Sequence, residues 1–316
     1  MLRILILTLA TLGFSAQSYS SELTPLVDAD WLNRHLDEDN LVVLDVRSDI
    51  DGGGGRDAFE ATQIPGSLHT RYGEDGWRES RNDVAGLMPA VDELEQLIGG
   101  LGISNEHSVV IVPAGTGPTD FGTAARIYWT FKILGHDQVA ILDGGFAGWQ
   151  QQGFEVASGP TPSVEPAPFQ AELREALIAT TEQVEEARQR QAQLVDARPS
   201  DYFTGGTTSP AVRLAGTIPG ARNLPHQSHL NDRNGAFYLD TAGLDARINA
   251  AELNRDERTI AFCNTGHWAA TDWFVLSEIA GFDNVAMYDG SMAAWTVSES
   301  RPVQLARRGF ELLTGD

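Results

Sequence analysis

The residue best suited to covalent chemistry in this sequence is Cys263, the only cysteine among 316 residues. It directly follows a short apolar segment, Thr259–Phe262, whose composition predicts a buried strand. After it, Trp268–Ile279 carries apolar residues at helical spacing, so Cys263 lies where a strand turns into a helix. Gly266 permits the positive-φ backbone that such a turn needs.

Two features of such a loop favour the thiolate, which is the reactive form of cysteine. Successive backbone N–H groups can converge on an anion, and the free N–H groups at the start of a helix add positive potential. The loop by itself leaves a second interpretation open, in which Cys263 is inert and packs as a small hydrophobic residue.

The N-terminus has the pattern of an export signal. Arg3 precedes an apolar run, Ile4–Phe14, and small or polar residues follow as far as Ser20. This pattern predicts a signal peptide cleaved after Ser18 or Ser20, since the run is too short to span a membrane. We therefore expect a periplasmic or secreted protein. Exported proteins generally use cysteines in pairs, so a lone cysteine suggests that its reactivity is used.

The charge balance excludes two classes of partner. The chain has 22 Lys and Arg against 44 Asp and Glu, a formal net charge of −22. Nucleic acid and anionic membranes would be repelled, so neither is expected as a partner. An anionic substrate would need a local positive pocket within this negative field. No cofactor is expected, and one cysteine without clustered histidines predicts no metal site.

Short apolar segments alternate with amphipathic ones, which predicts an α/β fold with parallel sheets flanked by helices. Prolines crowd the segment from Pro160 to Pro168 and predict an extended linker. Thr180 and Gln183 then have the spacing of a capping box, before a helix expected to run to about Gln191. The predicted organisation is a signal peptide (1–20), a first half (21–158), a linker (159–179) and a second half (180–316).

The two halves repeat the same motifs in the same order. The matching pairs are Asp45-Val46-Arg47 with Asp196-Ala197-Arg198, Ile64-Pro65-Gly66 with Ile218-Pro219-Gly220, and Asp143-Gly144 plus Trp149 with Asp289-Gly290 plus Trp295. Their offsets are the size of a domain, which indicates a tandem duplication. Where the second half has Cys263, the first has Pro113–Pro118, which contains no nucleophile. The second half therefore carries the chemistry and the first is structural.

In these repeated motifs the chain resembles the tandem-domain rhodaneses, a family of sulfurtransferases. The resemblance extends from about residue 24 to about residue 300, and Ala124–Trp149 is especially similar to the family's inactive N-terminal domain. It implies two α/β domains, each with a parallel five-stranded sheet flanked by helices.

The resemblance also implies a double displacement at Cys263. The thiolate takes the outer sulfur of an anionic donor such as thiosulfate or 3-mercaptopyruvate, and cyanide, a small thiol or an acceptor protein removes it. Loop amides would stabilise the thiolate and the persulfide. The residues expected to bind substrate are Asn264, Thr265, Gly266, His267, Trp268 and Arg198, with Asp196 as a structural residue near the site.

Three departures from the family bear on the donor. Thiosulfate-using members typically have Arg and Lys directly after the cysteine, where this chain has the neutral Asn264 and Thr265. Mercaptopyruvate-using members usually have Gly and a small residue there. Members of both kinds often carry a further arginine shortly after the Asp-x-Arg motif, and the matching position here is Tyr202. We expect thiosulfate as donor, with 3-mercaptopyruvate, or a persulfide carrier without turnover, as alternatives.

Several roles stay open at this stage. His267 could supply charge or a hydrogen bond, or face solvent at the start of the helix. Arg198 has a counterpart, Arg47, in the half without a cysteine, which favours a structural ion pair. Arg213 is a second candidate cation.

A phosphatase-like or arsenate-reductase-like enzyme would need an arginine six residues after the cysteine, where Ala269 stands. Cysteine-protease chemistry would need a histidine from elsewhere, which the duplication does not support.

Overall fold

The computed structural model describes residues 23–190 and 192–305. The predicted signal peptide and Gln191, the predicted end of a helix, lie outside these residues. In the described part of the chain, no helix is both long enough and apolar enough to cross a membrane.

Each half contains one parallel sheet covered by helices, which confirms the predicted fold class. The strands are β1 (Leu26–Val27), β2 (Leu41–Asp45), β3 (Leu68–His69), β4 (Glu79–Arg81), β5 (Val84–Leu87), β6 (Ser108–Val112), β7 (Val139–Leu142), β8 (Gln193–Asp196), β9 (Arg222–Asn223), β10 (Leu230–Arg233), β11 (Ala236–Leu239), β12 (Thr259–Phe262) and β13 (Val285–Met287). The helices are α1 (Ala29–His35), α2 (Gly55–Ala61), α3 (Val91–Gly100), α4 (Pro118–Ile133), α5 (Gly145–Gln151), α6 (Thr181–Gln189), α7 (Ser200–Phe203), α8 (Leu244–Ala250), α9 (His267–Phe274) and α10 (Ser291–Trp295).

The two sheets differ in size. The first has five strands in the order β1-β7-β6-β2-β3, and the second has four in the order β13-β12-β8-β9. A single parallel bridge from Ile178 to Met287 stands where a fifth strand would extend the second sheet. A 3₁₀ turn, Glu175–Leu177, ends just before this bridge, and Thr180 already caps α6. The five-stranded expectation therefore holds for the first half only, because no room remains for another strand in the second.

Local signals in the sequence correspond to local structure. The Thr180 hydroxyl accepts a hydrogen bond from the Gln183 amide, and the Gln183 side chain accepts one from the Thr180 amide, which confirms the capping box. Asp45 pairs with Arg47 at 2.9 Å, and Asp196 pairs with Arg198 at 2.6 Å. Both pairs are buried, so the repeated Asp-x-Arg motif forms the same structural ion pair in each half.

The equivalent helices α4 and α9 pack against each other across the boundary between the halves. Phe274 of α9 lies edge-on to Tyr128 of α4 at 4.8 Å and to Phe121 at 5.9 Å between ring centroids. The Tyr128 hydroxyl donates to Glu278 at 2.7 Å. One hydrophobic cluster contains buried side chains from both sheets, so the halves share a core.

Residues 161–174 of the proline-rich segment form no helix or strand and lie along the first half. The Ala167 amide donates to the Gly99 carbonyl and the Glu172 amide to the Leu134 carbonyl, both at 2.9 Å. Arg174 forms an ion pair with Asp137. The segment is thus attached to the first half by backbone and side-chain contacts.

Candidate active site

Cys263 directly follows β12 and lies in the loop that leads into α9. Gly266, the residue before α9, has φ +75° as the sequence suggested, a conformation that glycine adopts without steric cost. The same position leaves no room for a side chain. A Cβ there would overlap the Arg126 guanidinium and lie 2.6 Å from the Asp289 carbonyl oxygen.

Ser291 at the start of α10 holds this loop in shape. Its Oγ accepts hydrogen bonds from the amides of Cys263 at 3.0 Å and Gly266 at 3.1 Å, and donates to the Tyr288 carbonyl at 2.9 Å. Ser291 is fully buried at φ +49°, which is unfavourable for a residue with a Cβ. Within the described chain, the amides of Asn264 and Thr265 have no hydrogen-bond partner, so they remain available to an anion.

The matching loop of the first half is closed by a carboxylate of its own. Asp120 accepts hydrogen bonds from the amides of Ala114 at 3.1 Å and Gly115 at 2.7 Å. Burial raises the pKa of Asp120 to about 7. The first half therefore fills its loop with a protein side chain, whereas the second half presents a cysteine.

A pocket of about 290 Å³ opens onto Cys263. It is lined from the second half by Tyr202, Ser209, Cys263, Asn264, Thr265, His267 and Trp268, and from the first half by Ile50, Arg78 and Thr119. The structure thus brings together four of the predicted substrate-binding residues with the cysteine, and Gly266 shapes the loop behind them. A larger cavity of about 660 Å³ lies in the first half and contains no cysteine.

His267 is buried between the two halves. Its Nε2 donates to the Thr119 carbonyl at 2.8 Å, because that oxygen can only accept, and its Nδ1 accepts from the Tyr72 hydroxyl at 3.0 Å. Burial lowers the pKa of His267 to about 3, and the positive charge of Arg78 acts in the same direction. His267 therefore stays neutral, and it neither faces solvent nor supplies charge. Its two hydrogen bonds connect helix α9 to the first half.

Comparison with known proteins identifies the family. Residues 28–152 and 180–298 match the rhodanese-like domain. The chain belongs to the rhodanese family. This confirms the predicted tandem rhodanese.

Two curated relatives and one solved structure span nearly all of this rhodanese. A protein of Saccharopolyspora erythraea named as a thiosulfate sulfurtransferase is 32% identical over 278 residues, or 86% of this chain and 92% of the relative. The sulfur carrier protein TtuD of Thermus thermophilus is 28% identical, over 85% of this chain and 93% of its own. SseA from Escherichia coli, a 3-mercaptopyruvate sulfotransferase, superimposes with a TM-score of 0.71 at 25% identity, covering 85% of this chain and 98% of SseA. The predicted enzyme class, a sulfurtransferase, is confirmed by these relatives.

Arg198, one of the residues predicted to bind substrate, does not line the pocket of this rhodanese. It is 1% exposed, and its guanidinium is occupied by Asp196 and by the Gly216 carbonyl at 2.7 Å. Its remaining contact is a hydrogen bond of 3.4 Å to Asn264 Oδ1 of the cysteine loop. Asp196 also accepts from the Thr217 hydroxyl, so this pair is structural. Arg213 is half-exposed and lies 3.9 Å from Asp83, outside the pocket.

Aromatic side chains form one wall of the rhodanese pocket. Trp268 stacks on His226 at 4.6 Å with 9° between the rings, and Tyr202 meets Trp268 edge-on at 5.8 Å. Burial lowers the pKa of His226 to about 4, so the stacked imidazole is neutral. Tyr202 therefore contributes an aromatic wall at the position where the resemblance led us to expect an arginine.

Sequence reasoning missed Arg78, Arg126 and Ser291. Arg126 donates to the Gly266 carbonyl at 3.1 Å and pairs with Asp289 at 2.5 Å. No neighbouring residue in the sequence indicates that the two arginines contact the cysteine loop, because both belong to the half without a cysteine. Ser291 carried a signal: the duplicated Asp-Gly motif continues with Gly145 in the first half, at φ +57°, and with a serine in the second. No group of three or more His, Cys, Asp or Glu within residues 23–190 and 192–305 is arranged to bind a metal.

Proposed function

We propose that this rhodanese transfers sulfane sulfur from thiosulfate to a thiophilic acceptor through a persulfide on Cys263. The observation that carries the proposal is the position of Cys263. It lies in a small pocket, beside two loop amides without partners in the described chain and beside one arginine. An anionic sulfur species would be stabilised in such a place by these unpaired N–H groups.

The proposed reaction has two displacements. The Cys263 thiolate attacks the outer sulfur of thiosulfate, a new S–S bond forms, and the old S–S bond breaks as sulfite leaves with its electron pair. Cyanide or a thiolate then attacks the outer sulfur of the persulfide. Thiocyanate or a new persulfide leaves, and the Cys263 thiolate returns. No oxidant or reductant is consumed, because sulfur moves with its electrons balanced at each step.

A second candidate is a persulfide carrier that passes sulfur to a protein without rapid turnover of small donors. The neutral Asn264 and Thr265 favour it, because they replace the cations that hold the donor in thiosulfate-using relatives. The relative TtuD is itself named a sulfur carrier protein. 3-Mercaptopyruvate is the alternative small donor, supported by the similarity to SseA.

The deciding experiment measures thiocyanate formation from cyanide with thiosulfate and with 3-mercaptopyruvate, for the wild type and Cys263→Ser. Turnover with thiosulfate that is lost in Cys263→Ser would support the main proposal. Turnover only with 3-mercaptopyruvate would change the donor. A mass gain of one sulfur on Cys263 without turnover would favour the carrier, and the absence of both would overturn sulfur transfer at Cys263.

We also propose that the protein is exported to the periplasm or secreted. The support is the charged, apolar and small-residue order of Arg3, Ile4–Phe14 and the segment to Ser20. N-terminal sequencing of the protein from its source cells tests this. A mature chain that begins at Tyr19 or Ser21 is expected, and a cell-internal chain that retains Met1 would contradict export.

A further inference from the structure

We propose that Arg78, which belongs to the half without a cysteine, binds the anionic end of the sulfur donor. This inference rests on the proposed function and adds the residue that recognises the donor. The catalytic pocket would then be completed across the boundary between the halves, and the second half alone would lack its donor-binding cation.

Arg78 has no competitor for this role in the pocket. It is the only charged side chain among the described residues that line it, because His267 is neutral. Asn264 and Thr265 carry no charge, and the guanidinium of Arg198 is already occupied by Asp196 and the Gly216 carbonyl. A chain with a net charge of −22 repels an anionic donor at long range, so one local cation decides whether the donor binds.

The guanidinium of Arg78 is oriented by neutral groups. Its Nη2 donates to the Thr265 carbonyl at 2.6 Å and its Nε to the Gly86 carbonyl at 3.3 Å. The group lies over the Tyr72 ring at 5.4 Å. Within the described residues no carboxylate forms an ion pair with it, so its charge is not neutralised. Three of its five N–H groups remain for a ligand, including both on Nη1.

The glycine at position 86 leaves the space that the Arg78 guanidinium occupies. At φ +82°, a Cβ on Gly86 would overlap the Arg78 guanidinium and lie 2.9 Å from the Thr265 carbonyl oxygen. The space that Arg78 occupies therefore depends on the absence of a side chain at residue 86. The Thr265 carbonyl belongs to the cysteine loop itself, so this contact holds the guanidinium at the pocket that opens onto Cys263.

The chemistry of the group defines the class of ligand. A planar guanidinium donates two parallel hydrogen bonds to the paired oxygens of a sulfonate or a carboxylate. Thiosulfate carries the first and 3-mercaptopyruvate carries the second. With its anionic end on Arg78, the donor would direct its transferable sulfur toward Cys263.

The test compares Arg78→Gln and Arg78→Lys with the wild type, using both donors. We expect KM for the physiological donor to rise about 10- to 100-fold in Arg78→Gln, with kcat changed less than about threefold. The lysine variant should recover part of the loss, because it restores charge without the planar fork. Arg213→Gln is the matched control: it removes the same charge from outside the pocket and should leave KM near the wild-type value. The donor whose KM responds identifies sulfonate or carboxylate as the ligand.

Two further measurements separate this inference from the function on which it rests. Titration of Cys263→Ser with methanesulfonate and with pyruvate should show binding that is lost on adding Arg78→Gln. Inorganic polysulfide, which has neither a sulfonate nor a carboxylate, should load one sulfur onto Cys263 in Arg78→Gln as in the wild type. An unchanged KM for both donors, or a fall in kcat alone, would overturn the role of Arg78. Failure of polysulfide to load the wild type would instead count against the persulfide proposal.

Discussion

Arg126, in helix α4 of the first half, donates a hydrogen bond of 3.1 Å to the carbonyl oxygen of Gly266 in the cysteine loop. The same guanidinium pairs at 2.5 Å with Asp289, whose carboxylate also accepts from the Met88 amide. Arg126 is fully buried, so this connection is shielded from solvent. The half without a nucleophile thus fixes the backbone around the nucleophile of the other.

Substituting Arg126→Met should therefore affect both stability and turnover. The change leaves the Asp289 carboxylate without its partner, and we expect a loss of about 3–5 kcal/mol in the free energy of unfolding. Turnover should fall at least about tenfold because the loop loses its support. Urea unfolding and steady-state assays check this. Arg190→Met, which removes a highly exposed partner of Glu186, is the control and should change stability by less than about 1 kcal/mol.

Gly266→Ala tests whether residue 266 must be glycine for lack of space as well as for its positive φ. Gly281 also has positive φ, +70°, but a Cβ there would meet no atom within 4 Å. Gly281→Ala should cost about 1–2 kcal/mol from strain alone. Gly266→Ala should cost about 1–3 kcal/mol more, because Arg126 and the Asp289 backbone must move. Equal losses in the two variants would show that the contact with Arg126 does not restrict the loop.

Ser291 can be examined with two variants that remove the same oxygen. Both Ser291→Ala and Ser291→Gly leave the buried amides of Cys263 and Gly266 unsatisfied. Glycine also relieves the strain at φ +49°, so the alanine variant should be less stable by about 1 kcal/mol. Turnover should be reduced similarly in both. Wild-type turnover in Ser291→Gly would show that Oγ is not needed to shape the loop.

The buried imidazole of His267 should make stability depend on acidity. Burial lowers its pKa to about 3, below the ordinary value of 6.5. Between these two pH values the ring is protonated in the unfolded chain and neutral in the folded chain. Its contribution to stability is complete above pH 6.5 and is lost as pH falls from there toward about 3. The raised pKa of Asp120 acts oppositely, because that contribution is lost as pH rises through about 7.

A difference measurement isolates the histidine from such opposing groups. The urea concentration at the unfolding midpoint should decrease between about pH 7.5 and about pH 4.5. The decrease should be larger for the wild type than for His267→Gln, which has no titrating ring. An identical fall in both proteins would mean that His267 titrates normally in the folded state.

What the sequence predicts well is what neighbouring residues determine. The strand-to-helix turn at Cys263, the positive φ of Gly266 and the capping box at Thr180 each depend on residues within a few positions. The Asp-x-Arg pair is equally local, which is why Arg198 turns inward as Arg47 does. Arg198 does not line the pocket because the charge next to it in the chain is also its partner in the fold.

What the sequence does not predict is what distant segments bring together. Arg78 meets Thr265 across 187 residues, and Arg126 meets Gly266 across 140. The Arg126 contact arises because α4 and α9 pack against each other, and neither helix carries a mark of that pairing in its own sequence. Arg78 directly precedes β4 and reaches the same loop from a separate segment. The neutral residues after Cys263 indicated that a cation was missing, but only the fold reveals which arginine lines the pocket.

The core shared through Phe274 and Tyr128 has a consequence for how the protein melts. Separating the halves would expose the apolar faces of both α4 and α9, so neither half can lose its structure while the other keeps its own packing. Two domains by sequence should then behave as one thermodynamic unit, with a single calorimetric peak whose van't Hoff and calorimetric enthalpies agree. The half without a cysteine would then be required for the half with Cys263 to stay folded, because the two halves share one core.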